Sequence, residues 1–185
     1  MKNYCMPLLL IATSVCLCSK INAQSNEKDK ENENPLHHRV SVVFSQSHIP
    51  AANETNVKKQ IFIAPVLGVN YELWFNRKWA VGLHNDFTME TFNVKKSSGS
   101  EIIERDYPVL ITLVALYKPV KHWSFFAGPG KEFEKNESFH VIKTGIEYGI
   151  TILKTWEIGF GFEYDIKLKG YSTWQAGIGF SKNFY

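Results

Sequence analysis

Trp156-Glu-Ile-Gly-Phe-Gly-Phe-Glu-Tyr-Asp-Ile166 decides the fold class. Read at every second residue, it separates into Trp156, Ile158, Phe160, Phe162, Tyr164 and Ile166 against Glu157, Gly159, Gly161, Glu163 and Asp165. A strand sends successive side chains to opposite faces, whereas a helix would mix these two sets. The stretch is therefore a strand with one greasy face and one polar, glycine-rich face. The same period continues on either side. Ile61, Ile63, Pro65, Leu67, Val69, Tyr71, Leu73 and Phe75 face away from Ala64, Gly68, Asn70 and Glu72. Trp79, Val81, Leu83, Phe87 and Met89 face away from Gly82, His84, Asp86, Thr88 and Glu90, with Asn85 an exception on the apolar side.

Eight such segments are predicted, over 39–49, 59–75, 79–93, 107–118, 122–131, 139–152, 156–167 and 172–184. Val42-Val43 breaks the alternation of the first, and Leu110, Val114 and Leu116 make the fourth apolar on both faces. Tight turns at 76–78, 119–121 and 153–155 alternate with the links 50–58, 94–106, 132–138 and 168–171, the last of them brief. This is the meander of an all-β, eight-stranded antiparallel up-and-down transmembrane β-barrel, whose even strand count puts both chain ends on the side of the short turns.

A soluble lipocalin-type carrier would show the same alternation with the faces reversed, apolar inside and polar outside. The polar face decides between them. It carries Gly68, Gly82, Gly128, Gly145, Gly149, Gly159, Gly161, Gly177 and Gly179. Glycines weaken a solvent-facing strand, but a narrow bore needs small residues. Aromatic residues near the segment ends (Phe75, Trp79, Tyr107, Tyr117, Trp123, Trp156, Trp174, Phe184) suit the girdles of a membrane barrel.

Register follows from the turns. A turn at 153–155 sets Ile152 against Trp156 and predicts the inward pairs Lys143–Asp165, Gly145–Glu163, Glu147–Gly161 and Gly149–Gly159. Pairing Leu168 with Ser172 sets Glu163 beside Gly177 and Asp165 beside Gln175. A lumen network of Lys143, Asp165, Glu147, Glu163 and Gln175 is expected, centred on a Lys143–Asp165 ion pair, because an unpaired charge there is expensive. Side chains fill an eight-stranded bore, so an open pore is not expected.

The 185 residues carry a formal net charge of +3, with 44% hydrophobic and 14% aromatic residues. That length suits one barrel domain, and the near-neutral charge excludes a nucleic-acid binder held by phosphate neutralisation. Residues 1–23, with Lys2 ahead of an apolar run and Ala23 before Gln24, read as a signal peptide. All three cysteines (Cys5, Cys16, Cys18) lie within it, so the mature chain is expected to hold no disulfide or thiolate site. Removing Lys2 and Lys20 leaves the mature chain close to charge balance. Residues 24–38 read as a flexible periplasmic leader, with His37 and His38 solvated rather than metal-bound. The barrel domain is then 39–185. No cofactor or metal is expected.

With these strands, links and the terminal strand Trp174-Gln-Ala-Gly-Ile-Gly-Phe-Ser-Lys-Asn-Phe-Tyr185, the chain resembles the small Gram-negative outer-membrane β-barrels. It is similar in plan to the X-type outer-membrane proteins and to the barrel domain of the A-type ones. The resemblance is architectural and covers nearly all of the mature chain. It implies residence in the cell outer membrane as a monomer, contact with outer-membrane lipid and lipopolysaccharide, and insertion by the barrel-assembly machinery. In that family the last strand ends on an in-register aromatic. Here that aromatic, Phe184, is penultimate, and Lys182 interrupts the apolar phase.

One catalytic constellation is present. His122-Trp-Ser124, followed by Glu132 and Glu134, resembles the His-x-Ser and later Glu of lipid A deacylases, where an oriented histidine activates a serine. The competing reading makes His122 a turn residue and Ser124 a small inward one, with the acids at the opposite end of the strand. That reading is preferred, and a non-enzymatic barrel is expected. The longest link holds the external contact candidates Lys95, Lys96, Glu104 and Arg105, since loops on a rigid scaffold commonly carry binding.

Overall fold

Among the described residues the period-two alternation of the sequence becomes ten strands: β1 (His37–Ala51), β2 (Gln60–Trp74), β3 (Trp79–Thr88), β4 (Phe92–Lys95), β5 (Ile102–Arg105), β6 (Val109–Val120), β7 (Trp123–Phe133), β8 (Phe139–Leu153), β9 (Trp156–Lys167) and β10 (Ser172–Phe184). The computed structural model describes residues 36–51, 60–97, 101–135 and 137–185. The expected signal peptide and all of the leader up to residue 35 lie outside the described residues. β1 begins inside the expected leader. His37 stacks on Trp74, and His38 Nδ1 lies 2.7 Å from the Tyr71 hydroxyl.

Eight strands pair antiparallel in the order β10-β9-β8-β7-β6-β3-β2-β1, and β10 pairs with β1 to close the cylinder. Closure removes both sheet edges, the condition an all-β structure must meet in lipid. The two faces sort as the sequence reading requires. Phe44, Ile63, Leu83, Leu113, Phe125, Ile150, Phe160, Phe162 and Ile178 are exposed, while Arg39, Glu72, Asp86, Lys143 and Asp165 are buried. That is the inverse of a lipocalin-type barrel.

Two irregular segments are explained by what fills the bore. Val43 points inward between Gly68 of β2 and Gly179 of β10, its Cβ and Cγ2 taking the space those glycines leave. The inward Val114 and Leu116 of β6 pack with Trp74, Ala80 and Phe126 into an apolar plug near the short-turn end. A second plug of Ile49, Ala64, Phe92, Val94, Phe139 and Tyr171 fills the long-link end.

Four details differ from the sequence reading. The predicted third strand, 79–93, stops at Thr88, whose N–H bonds the Pro108 carbonyl as Met89 N–H bonds that of Pro65. The chain then forms the separate β4–β5 hairpin, which takes the end of the expected third strand and most of the expected 94–106 link. Its buried Phe92 and Val94 continue the alternation, so periodicity alone could not separate it from β3. Between β6 and β7 the turn is Lys121–His122, with a register shift between Tyr117 and Val120 instead of a turn at 119–121. Between β8 and β9, Leu153 rather than Ile152 faces Trp156. A register shift between Thr151 and Leu153 absorbs the difference, leaving the pairs Lys143–Asp165, Gly145–Glu163, Glu147–Gly161 and Gly149–Gly159 in place. Between β9 and β10 the pairing is two steps off. Glu163 faces Gln175 rather than Gly177, and Asp165 faces Thr173 rather than Gln175. There Gly170 N–H bonds the Lys167 carbonyl across a turn with Lys169 at φ 65°, so the reversal comes one residue earlier than Gly170 suggests.

Candidate functional site

The inward face of the barrel stacks into three levels. At the short-turn end, Arg39 on β1 pairs with Glu147 on β8, and its Nη1 lies 3.6 Å from Glu72 on β2. Trp74 Nε1 donates to Glu72 at 2.9 Å, and His84 Nε2 stands 3.5 Å from the other oxygen of the same carboxylate. Ser41 donates to Ser181 at 2.8 Å across the β1–β10 seam.

At mid-height Lys143 on β8, fully buried, meets three carboxylates. Its Nζ lies 2.6 Å from Asp86, bonds Glu163, and is 3.4 Å from Asp165. Gln175 Nε2 donates to Glu163 at 2.7 Å and to Asp86 at 3.4 Å, while its Oε1 accepts from Ser45. The structure thus gathers Lys143, Asp165, Glu163 and Gln175 in one network and places Glu147 in the neighbouring one with Arg39. Asp86 is the member that sequence reasoning missed. Its inward face was readable, but nothing local says that β3 brings it level with a lysine 57 residues away. Space is tight around these groups. A Cβ on Gly145 would lie 2.2 Å from the Phe126 ring, and one on Gly149 would overlap the Glu157 carboxylate.

At the long-link end the β4–β5 hairpin is anchored into the barrel. Arg105, expected as an external contact, is instead wholly buried. Its guanidinium donates to Glu132 at 2.7 Å, to Glu134 at 3.1 Å and to the Glu137 carbonyl at 2.5 Å, and lies over the Phe139 ring. The reason is its place in β5. Ile103 and Arg105 share the inward face, and two glutamates on and just beyond β7 require a cation. Glu132 also accepts from the Tyr171 hydroxyl, and Lys167 lies 3.5 Å away. Burial and the neighbouring carboxylate push the Tyr171 hydroxyl well above its ordinary range, so it stays a donor. Lys96 is likewise engaged, 2.7 Å from Glu137 and 2.9 Å from Glu101, and these bonds raise its pKa. Lys95 and Glu104 remain exposed on the outer face of the hairpin.

The deacylase-like residues do not converge. His122 Nδ1 lies 2.8 Å from the Gly149 carbonyl oxygen in a short turn, and Ser124 is buried beside it in sequence. Glu132 and Glu134 are taken up by Arg105 at the opposite end of β7.

No family model matches the sequence, and no curated protein matches it. Solved structures match in fold. Ail, the attachment invasion locus protein of Yersinia pestis, in complex with the heparin analogue sucrose octasulfate, is 18% identical with a TM-score of 0.50, over 81% of this chain and 99% of that one. A second structure of Yersinia pestis Ail is 13% identical with a TM-score of 0.50, over the same shares of 81% and 99%. Neisserial surface protein A is 8% identical with a TM-score of 0.49, over 80% of this chain and 97% of that one. With its eight strands closed by β10 on β1 and its apolar side chains turned outward, the chain has the fold of the small eight-stranded outer-membrane β-barrels.

Proposed function

We propose that this protein is an integral outer-membrane barrel, monomeric and non-enzymatic, whose long-link end serves surface interaction or envelope integrity. One observation carries the reading. Every strand of the cylinder turns large apolar side chains outward, while charged groups and two apolar plugs fill the bore. An outer surface of that kind is stable only against lipid. The filled interior supports a barrel without an open pore. The β4–β5 hairpin, held by Arg105 and Lys96, is a rigid platform that presents Lys95 and Glu104 to partners or to lipopolysaccharide. Assembly by the barrel-assembly machinery is part of this proposal, resting on the terminal strand.

The test is whether outer-membrane fractionation and heat-modifiable electrophoretic mobility occur together. The expected result is recovery with the outer membrane and a faster-migrating unheated form. Recovery as a detergent-free soluble monomer would overturn the proposal in favour of a carrier. Liposomes bearing the folded protein should not swell in small sugars, since a sugar-permeable bore contradicts the two plugs.

A further inference from the structure

We propose that the short-turn end of the barrel is a cationic collar selecting anionic glycerophospholipid headgroups in the adjoining leaflet; this rests on the membrane-spanning reading above. The collar is visible in how charge is sorted between the two ends. Among the described residues, the exposed charged side chains of the short turns are all cationic. Arg77 and Lys78 lie between β2 and β3, Lys121 between β6 and β7, and Lys154 between β8 and β9. The half-buried Lys182 adds a cation beside the β10–β1 seam. Each of the four strand pairs reaching this rim therefore presents at least one.

The acidic side chains of the same half point the other way. Glu72 and Glu147 are held by Arg39, and Glu157 lies 3.7 Å from Lys118. The long-link end is mixed, exposing Glu90, Glu101, Glu104 and Asp106 beside Lys95, Lys131, Lys135 and Lys169. The sorting is thus a property of one rim.

The rim's aromatic residues set the depth of these cations. Trp79 packs on Tyr117 at 4.5 Å and Trp123 on Tyr148 at 4.9 Å, with Trp79, Trp123 and Trp156 all exposed. Tryptophan and tyrosine sit at headgroup level. Lys78 adjoins Trp79 in sequence, Lys121 lies two residues from Trp123, and Lys154 two from Trp156. Lys182 is on the outward face itself, its Nζ 5.3 Å from the Trp156 ring centroid and 5.2 Å from that of Phe184. A lysine placed so carries its ammonium along the apolar surface to the phosphate layer. A lysine near an anionic membrane surface strengthens attraction roughly fivefold. Point-charge lysines around a rim suit a laterally mobile phosphate rather than one fixed bidentate ligand.

The experiment uses the full chain folded into phosphatidylcholine vesicles containing either brominated phosphatidylcholine or brominated phosphatidylglycerol, with quenching of tryptophan fluorescence as readout. Three of the five tryptophans line this rim. Expected is a relative association constant for the anionic over the zwitterionic lipid of several-fold, falling with salt. It should drop toward one in the Lys78→Gln/Lys121→Gln/Lys154→Gln/Lys182→Gln variant. A Lys131→Gln/Lys135→Gln variant at the other end should leave it unchanged. Wild-type protein that is heat-modifiable yet shows no preference refutes the collar alone, as does a quadruple variant that keeps the preference. Protein that neither brominated lipid quenches refutes the membrane-spanning reading as well.

Discussion

Replacing Lys143 by methionine keeps most of the side chain's length and removes its charge. In the native bore that ammonium is fully buried against Asp86, Glu163 and Asp165, and the Gln175 amide already donates to Glu163 and Asp86, so it offers no replacement charge. Removing one partner of a buried ion pair costs about 3–5 kcal/mol, because the other is left uncompensated. Here one cation serves three carboxylates, so the upper part of that range, about 4–5 kcal/mol, is expected. Against a typical stability of about 5–15 kcal/mol this is a large fraction. With a urea dependence of about 2 kcal/mol per molar, the unfolding midpoint falls by about 2 M. The assay is urea unfolding in lipid vesicles, followed by tryptophan fluorescence and by mobility of the unheated protein. Asp165→Asn, which leaves the lysine two partners, should cost about 1 kcal/mol or less. Adding Glu163→Gln and Asp165→Asn to Lys143→Met should restore much of the lost midpoint. The reasoning fails if Lys143→Met unfolds within about 1 kcal/mol of the wild type, or if Asp165→Asn is as damaging.

Other consequences are as direct. Gly145→Ala forces a methyl against the Phe126 ring and should cost about 1–3 kcal/mol, whereas Gly161→Ala, with nothing within 4 Å of the added carbon, should leave the midpoint nearly unchanged. Arg105→Met should release the β4–β5 hairpin from Glu132 and Glu134, so limited proteolysis nicks it while the barrel keeps its heat-modifiable mobility; resistance equal to the wild type would show that the anchor is dispensable. Lys96 has a folded pKa raised by its bonds to Glu137 and Glu101, so its contribution is complete below the ordinary lysine value of 10.5 and lost as pH rises through the folded value. Protection of the hairpin amides, taken relative to their intrinsic exchange rate, should then fall at strongly alkaline pH in the wild type, and Lys96→Gln should remove that pH-dependent step. Ser124→Ala should leave lipid A acylation in the host unchanged, and loss of a deacylation step on this substitution would reinstate the enzymatic reading.

Much of this architecture is readable locally. A strand's side chains alternate whatever surrounds it, so the outward Trp156-to-Ile166 face and the inward Glu157-to-Asp165 face follow from the chain alone. The β8–β9 register was accessible from the bore itself, because Glu147 and Glu163 fall opposite glycines, although the turn sets Leu153 rather than Ile152 against Trp156 and a register shift restores the pairing. Tertiary structure decided what alternation cannot express. Periodicity assigns a residue to a face but not to a height along the bore, which depends on the stagger of strands distant in sequence. That stagger lifts Asp86 to the level of Lys143 and gathers the inward apolar residues into two plugs. It also carries Arg105 from an apparently external link to Glu132 of β7 and Glu134 just beyond it, where its charge is required.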